Sequence, residues 1–316
     1  MCILNRQLQA YALNLKWNPV PFILASLKGI SQVILIENAW TGFIIVIALA
    51  TVHVKLGVIA LLSAMLGTLV GYLGGADKSA VHQGLFGFNA VLTGLGLSVF
   101  LTANLATILG AAALGTLCTA AFMHLFKRTN IPVLTFPYTV VTWLFLLASY
   151  HLNALRLDPG LIPQDLAHWH MNTAGEIDLA SGLLNGIDQV YFQTGFLSGI
   201  LILLGIFWAS WRLGLLAVMG TAIAWPTAYL MGAEITNLNL GIFGYNAVLT
   251  MMAVSSVFHT RERPALLVGL LAAVSTVPVT AGLNTWFQAY GMPTLTLPFV
   301  IVTWIFLGAR QVLPKL

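Results

Sequence analysis

Gly84-Leu85-Phe86-Gly87-Phe88-Asn89-Ala90-Val91-Leu92-Thr93 occurs a second time in this chain, as Gly241-Ile242-Phe243-Gly244-Tyr245-Asn246-Ala247-Val248-Leu249-Thr250, with only Leu/Ile and Phe/Tyr exchanged. The copies stand 157 residues apart, about half of the 316-residue chain. Gly29-Ile30-Ser31-Gln32-Val33 returns at the same spacing as Gly186-Ile187-Asp188-Gln189-Val190. Leu134-Thr135-Phe136-Pro137-Tyr138 returns 161 residues later as Leu295-Thr296-Leu297-Pro298-Phe299, so a four-residue insertion separates the second phrase from the third. The chain is a duplication, and a duplicated apolar chain tends to place its working site at the seam between halves.

Composition decides the solvent. Apolar residues make up 59% and charged residues 7%, against about 25% charged in a soluble domain. Apolar stretches of about 17 to 24 residues recur, each long enough for a hydrocarbon core of about 30 Å. Lipid cannot satisfy backbone groups, so these stretches read as helices, and the alternation of an outer-membrane barrel is missing. Met1–Trp17 does not read as a cleavable signal peptide. Cys2 and Cys118 have no metal spacing and are not expected to pair. The slight basic excess suits cytoplasmic loops rather than nucleic acid.

Five spans are read in each half: about 30–53, 55–73, 85–101, 105–126 and 134–150, then about 187–209, 212–230, 242–258, 264–284 and 295–310. An odd count turns the second copy upside down, giving an all-α integral membrane protein of two inverted repeats. The division is an N-terminal cytoplasmic segment 1–28, a first membrane repeat 29–151, an external connecting loop 152–185 and a second repeat 186–311. That loop holds Asp158, Asp165, Glu176 and Asp178 against Arg156. With both termini cytoplasmic, Arg6, Lys16, Lys28, Lys127, Arg128, Arg212, Arg261, Arg263, Arg310 and Lys315 lie inside, which is the positive-inside pattern. The expected location is a bacterial inner (plasma) membrane. Gly84, Gly87, Gly94 and Gly96 crowd one span, and Pro137 and Pro298 fall at the start of others. Proline removes a backbone donor, so these phrases are candidates for re-entrant half-helices lining a pathway, with close helix packing as the alternative use of the glycines.

Gln32 and Gln189 occupy equivalent positions in apolar runs. A buried amide needs partners; each either ties helices together or offers an uncharged binding point near one end of a path. Thr135 and Thr296 each precede a proline by two positions and can cap a helix, line a pore, or both. Phe88 with Leu92, and Tyr245 with Leu249, have the i, i+4 spacing that shares a helix face, while Leu35 and Phe192 follow the glutamines by three. Such walls make either ordinary core or a flat slot for a planar solute. Glu37, an acid inside an apolar run, is a proton site, a solute acceptor, or an interfacial residue. Asp188 reads as a boundary residue. His168 and His170 flank Trp169, a weak metal spacing; no metal site, cofactor signature or clustered nucleophile is read, so no enzyme is expected.

Gly-Ile-x-Gln-Val, Gly-[LI]-Phe-Gly-[FY]-Asn-Ala-Val-Leu and Leu-Thr-x-Pro-[FY], each present twice and in order, resemble the phrases of the urea transporter family, channel-like facilitators of bacteria and animals. The likeness covers about residues 29–145 and 186–306. It implies ten transmembrane helices plus two tilted re-entrant helices, a homotrimer in the lipid bilayer, and a central pore in each protomer for urea or similar small amides. It further implies that Gln32 and Gln189 coordinate urea at two mouths, that Phe88, Leu92, Leu35, Tyr245, Leu249 and Phe192 frame slots, and that Thr135 and Thr296 join an oxygen-lined constriction. Leu35 stands where an aromatic is expected and Tyr245 where Phe is expected, making the first slot looser and the second more polar. The function expected is passive, selective urea permeation. The rivals are a proton-coupled secondary transporter using Glu37 or a channel for another small neutral solute; an ammonia or water channel would want paired intramembrane histidines or a duplicated Asn-Pro-Ala turn, which the chain lacks.

Overall fold

The computed structural model describes residues 19–129, 131–158, 160–161, 163–258 and 265–313. Residues 1–18, with Cys2, Arg6 and Lys16, and also His259, Arg261, Arg263 and Lys315, lie outside this set. The first half contains α1 (Pro19–Ser31), α2 (Ala39–Val52), α3 (Val54–Leu73), the short α4 (Lys78–His82), α5 (Phe88–Phe100), α6 (Leu105–Phe126) and α7 (Phe136–Ala148). The second repeats that order as α8 (Leu179–Asp188), α9 (Phe196–Ala209), α10 (Trp211–Leu230), α11 (Ile235–Asn239), α12 (Gly244–Met252), α13 (Ala265–Gln288) and α14 (Leu297–Val312). Two two-residue strands, β1 (Leu101–Thr102) and β2 (Arg156–Leu157), pair antiparallel and tie the connecting segment to the end of α5.

Among the described residues four helices are long and apolar enough to cross a bilayer: α3, α6, α10 and α13. They make this an integral membrane protein. The remaining predicted spans are broken or short. The span read as 30–53 is a bent pair: α1 with a following 3-10 turn, then α2 at 75°. Its counterpart at 187–209 bends by 72°. Helix starts at Pro19 and Leu179, well before the predicted starts at 30 and 187. Pro19 and Pro21 do not oppose this start, since first-turn amides have no intrahelical acceptor. In the connecting segment, Asp178 caps α8 by accepting from Ser181 N at 3.0 Å, which extends helix into the stretch read as loop. The helices α5 and α7 have 13 residues each, about 20 Å at 1.5 Å per residue and short of a 30 Å core.

Close approach explains the glycines of the repeated phrases. A Cβ on Gly84, whose φ is +82°, would run into the backbone of Gly29, and one on Gly241, φ +72°, into that of Gly186. Thus the Gly-Ile-x-Gln-Val phrase of each half packs backbone to backbone against its own Gly-x-Phe-Gly phrase.

The halves meet where α2 packs on α9 and α7 on α14. Here they exchange equivalent hydrogen bonds in both directions. Trp143 Nε1 donates to Pro293 O at 2.9 Å, and Trp304 Nε1 donates to Pro132 O at 2.8 Å. Tyr150 Oη donates to Tyr290 O at 3.2 Å, and Gln311 Nε2 donates to Thr129 O at 3.0 Å.

Candidate functional site

Among the described residues, four that are not glycine have left-handed backbone: Leu35 (φ 61°), Phe192 (φ 61°), Leu134 (φ 52°) and Leu295 (φ 53°). They form two equivalent pairs. Leu35 and Phe192 make the breaks after the glutamine phrases; Leu134 and Leu295 immediately precede Thr135 and Thr296. Left-handed backbone costs an L-residue roughly 1–2 kcal/mol, and such outliers cluster at working sites.

At the first kind of break the helix ends in a 3-10 turn and the glutamine side chain turns back on its own half. Gln32 Nε2 donates to Gln83 O at 2.9 Å, and Gln189 Nε2 donates to Leu240 O at 3.2 Å. With one amide N–H committed, each glutamine keeps its Oε1 acceptor and a second N–H to offer. The turn is held differently in the two halves. Ser31 Oγ accepts from Asn38 N at 3.2 Å and donates to Ile36 O at 2.7 Å. Its counterpart Asp188 accepts from Gly195 N at 2.6 Å and from Ser198 Oγ at 2.5 Å. Asp188 is fully buried within the protein, where those two donors stand in for water at its Oδ2.

At the second kind of break an asparagine from the twice-written phrase holds the start of the short helix. Asn89 Nδ2 donates to Leu134 O at 3.3 Å and its Oδ1 accepts from Tyr138 N at 3.4 Å. Asn246 repeats this with Leu295 O at 3.4 Å and Phe299 N at 3.1 Å. Sequence reasoning passed over both asparagines; their unchanged place in both copies was the available signal. The turns set Thr135 and Thr296 face to face, with Oγ1 atoms 2.6 Å apart and both side chains buried. This bond crosses the seam between halves.

A cavity of about 550 Å³ reaches Thr296 from the side of the connecting segment. Gln189, Phe192, Tyr245 and Thr296 all line it, so four of the residues singled out in sequence meet here. Its lining also takes in four carboxamides, Gln164, Asn237, Asn284 and Gln288, with Trp169 and the carboxylate Glu234. Phe192 stands edge-on to Phe100, with ring centroids 5.5 Å apart. Thr135 is connected to the cavity only through Thr296. Phe88, Leu35 and Gln32 do not line it, and Leu92 and Leu249 are fully enclosed. Glu37 sits at the α1–α2 bend in an ion pair with Lys28 at 2.7 Å, its side chain 43% exposed, and does not line the cavity. His168 pairs with Asp165 at 2.5 Å rather than sharing a site with His170, and this bond holds the exposed Asp165 carboxyl below its ordinary range.

A family model described as urea transporter matches residues 23–311. The chain belongs to the urea transporter family. Among curated urea transporter relatives, it is 25% identical over 288 residues to "Urea transporter 1" of Rattus norvegicus, spanning 89% of this chain and 75% of the relative. It is 24% identical to "Urea transporter 1" of Ovis aries over the same shares. The family match takes in both copies of all three repeated phrases, and so every element that builds the cavity and the threonine seam.

Proposed function

We propose that this protein conducts urea, and similarly small neutral amides, passively across a membrane. The observation that carries the reading is the cavity that reaches Thr296, whose hydroxyl meets that of Thr135 at the seam, in a chain whose family and relatives are named for urea transport. Urea is planar, neutral and rich in N–H donors. The Oε1 of Gln189 meets it as an acceptor at the mouth, with Phe192 and Tyr245 as walls. The two threonine hydroxyls then take its N–H groups in place of water, and Leu134 O and the Oε1 of Gln32 continue the row on the far side, framed by Phe88, Leu92 and Leu35. Leu249 backs Tyr245. Such a row must bind well enough to offset dehydration and weakly enough to release. Ions are refused at the threonine pair, where the row offers no compensating charge. No step needs catalysis or an energy source.

The architecture proposed is a pair of inverted repeats with one pore per protomer, assembled as a homotrimer. The reciprocal Trp143–Pro293 and Trp304–Pro132 bonds support a twofold relation between halves. Both termini are placed on the cytoplasmic face of a bacterial plasma membrane, on the charge pattern of the loops. The proton-coupled alternative gains nothing from Glu37, whose carboxylate is already paired with Lys28.

Stopped-flow urea uptake by proteoliposomes, with no ion or proton gradient, tests the reading. Wild type should pass urea rapidly and the Gln32→Ala/Gln189→Ala variant should not. A folded wild type indistinguishable from empty liposomes would end it.

A further inference from the structure

The two halves differ again at a peptide unit beside the threonine pair. Leu295–Thr296 is gripped at both ends by tyrosine hydroxyls. Tyr245 Oη donates to its carbonyl at 2.7 Å, and its N–H donates to Tyr138 Oη at 3.1 Å. Tyr245 comes from α12 in the second half and Tyr138 from α7 in the first, so the grip spans the seam. The equivalent unit, Leu134–Thr135, has no such hydroxyls: Phe88 stands in place of Tyr245 and Phe299 in place of Tyr138. Its carbonyl accepts from the Asn89 amide at 3.3 Å.

Both units follow a leucine with left-handed φ, and turning either unit changes ψ of that leucine and φ of the threonine after it, so the threonine moves with its peptide. Rotation of Leu295–Thr296 would break the bonds at its oxygen and its nitrogen together. Rotation of Leu134–Thr135 meets only the asparagine. The orientation of the peptide fixes where the side chain of Thr296 stands, and Thr296 Oγ1 closes on Thr135 Oγ1 at 2.6 Å. One wall of the constriction is therefore stiff and the other compliant.

We propose that Tyr138 and Tyr245 clamp the Leu295–Thr296 peptide, and that this stiffness is what rejects amides carrying a substituent on nitrogen. The inference rests on the passive urea pathway proposed above. A compliant wall stretches to admit a methyl group; a stiff wall does not. Tyr245 also lines the cavity and meets the solute. Tyr138 is fully buried and does not line it, so it acts as a positioning residue through Thr296.

The test compares urea and N-methylurea uptake in proteoliposomes, together with hydrogen exchange at the Thr296 amide. Tyr138→Phe should keep urea uptake close to wild type, raise the N-methylurea/urea ratio about two- to tenfold, the span expected for one hydrogen bond, and unprotect the Thr296 amide. Adding Phe299→Tyr to Tyr138→Phe moves the hydroxyl onto the Leu134–Thr135 side and should bring the ratio back down. Tyr245→Phe should raise the ratio as well. An unprotected Thr296 with an unchanged ratio would overturn the proposal, as would unchanged protection in Tyr138→Phe. If wild type passes no urea, the function reading fails, while Thr296 protection still reports whether the clamp exists.

Discussion

Replacing both Thr135 and Thr296 by valine gives a sharp test of the constriction. Valine keeps the branched shape and removes the oxygen, so the passage keeps about the same width and loses two acceptors. In the resting protein the two Oγ1 atoms satisfy each other at 2.6 Å with almost no exposure. A urea molecule passing the seam must part that bond and replace it with two of its own. The double variant offers it none. Each hydrogen bond is worth about 0.5–1.5 kcal/mol net, and two gained against one parted leave one, so the barrier rises by about 0.5–1.5 kcal/mol and uptake falls about two- to tenfold. The single variants should cost less than half of this. Removing one hydroxyl frees the other from its partner, and a freed hydroxyl receives a solute N–H without a prior bond to break. Groups in direct contact couple in this way, and a double-mutant cycle measures it. Thr→Ser at either place keeps the oxygen and should keep the flux. The assay is stopped-flow light scattering on proteoliposomes matched for protein content. Wild-type uptake by the double valine variant would refute the idea that these hydroxyls carry the solute, and strictly additive singles would refute their mutual bond.

Three other outcomes follow from the geometry. Asn89→Leu should destabilise more than Asn246→Leu on thermal unfolding in detergent: the first orphans Leu134 O and Tyr138 N, at about 1–3 kcal/mol each, whereas Leu295 O keeps Tyr245; equal shifts would contradict this. Asp188→Ala should cost about 1–3 kcal/mol by orphaning Gly195 N, and Asp188→Ser, which copies Ser31, should recover part of it, so equally unstable Ala and Ser variants would count against the turn's being held this way. Asp178, at the start of α8, is held below the ordinary aspartate range by its hydrogen bonds from Ser181. Its depressed folded value makes its contribution present above the ordinary aspartate value near 3.9 and lost as pH falls through the lower one; protection of the Ser181 amide should decline in acid in wild type and stay flat in Asp178→Asn.

Much of the site can be located from the three duplicated phrases, since they carry Gln189, Tyr245 and Thr296, and Phe192 lies three residues past its glutamine. What could not be read is the chain's path through them. Breaks announce themselves in sequence as glycine or proline, and the short helices α7 and α14 do begin with Pro137 and Pro298 in their first turns. The bends after α1 and α8 fall instead on Leu35 and Phe192, types that normally avoid positive φ. A window of hydrophobic residues with no breaker therefore reads as one continuous span. The partners of Asp188 are hidden in sequence for a related reason: Gly195 and Ser198 reach it because the chain folds back at that bend. Tyr138 escaped notice because its partner lies 158 residues away, in the other half.

The use of leucine and phenylalanine at these turns carries an argument of its own. Glycine would adopt the same backbone at no steric cost, and the protein does use it where only the backbone is needed, at Gly84 and Gly241. At Phe192 the side chain is itself part of the cavity wall, packed edge-on against Phe100, so glycine would remove the wall along with the strain. Leu295 likewise lines the cavity, and its carbonyl is the acceptor of Tyr245 and Asn246. At Phe192 and Leu295 one residue both turns the chain and faces the cavity. The reciprocal bonds at the seam and the asparagine ties then hold the turns in place, so that the Thr135–Thr296 contact is set by packing across the two halves rather than by either half alone.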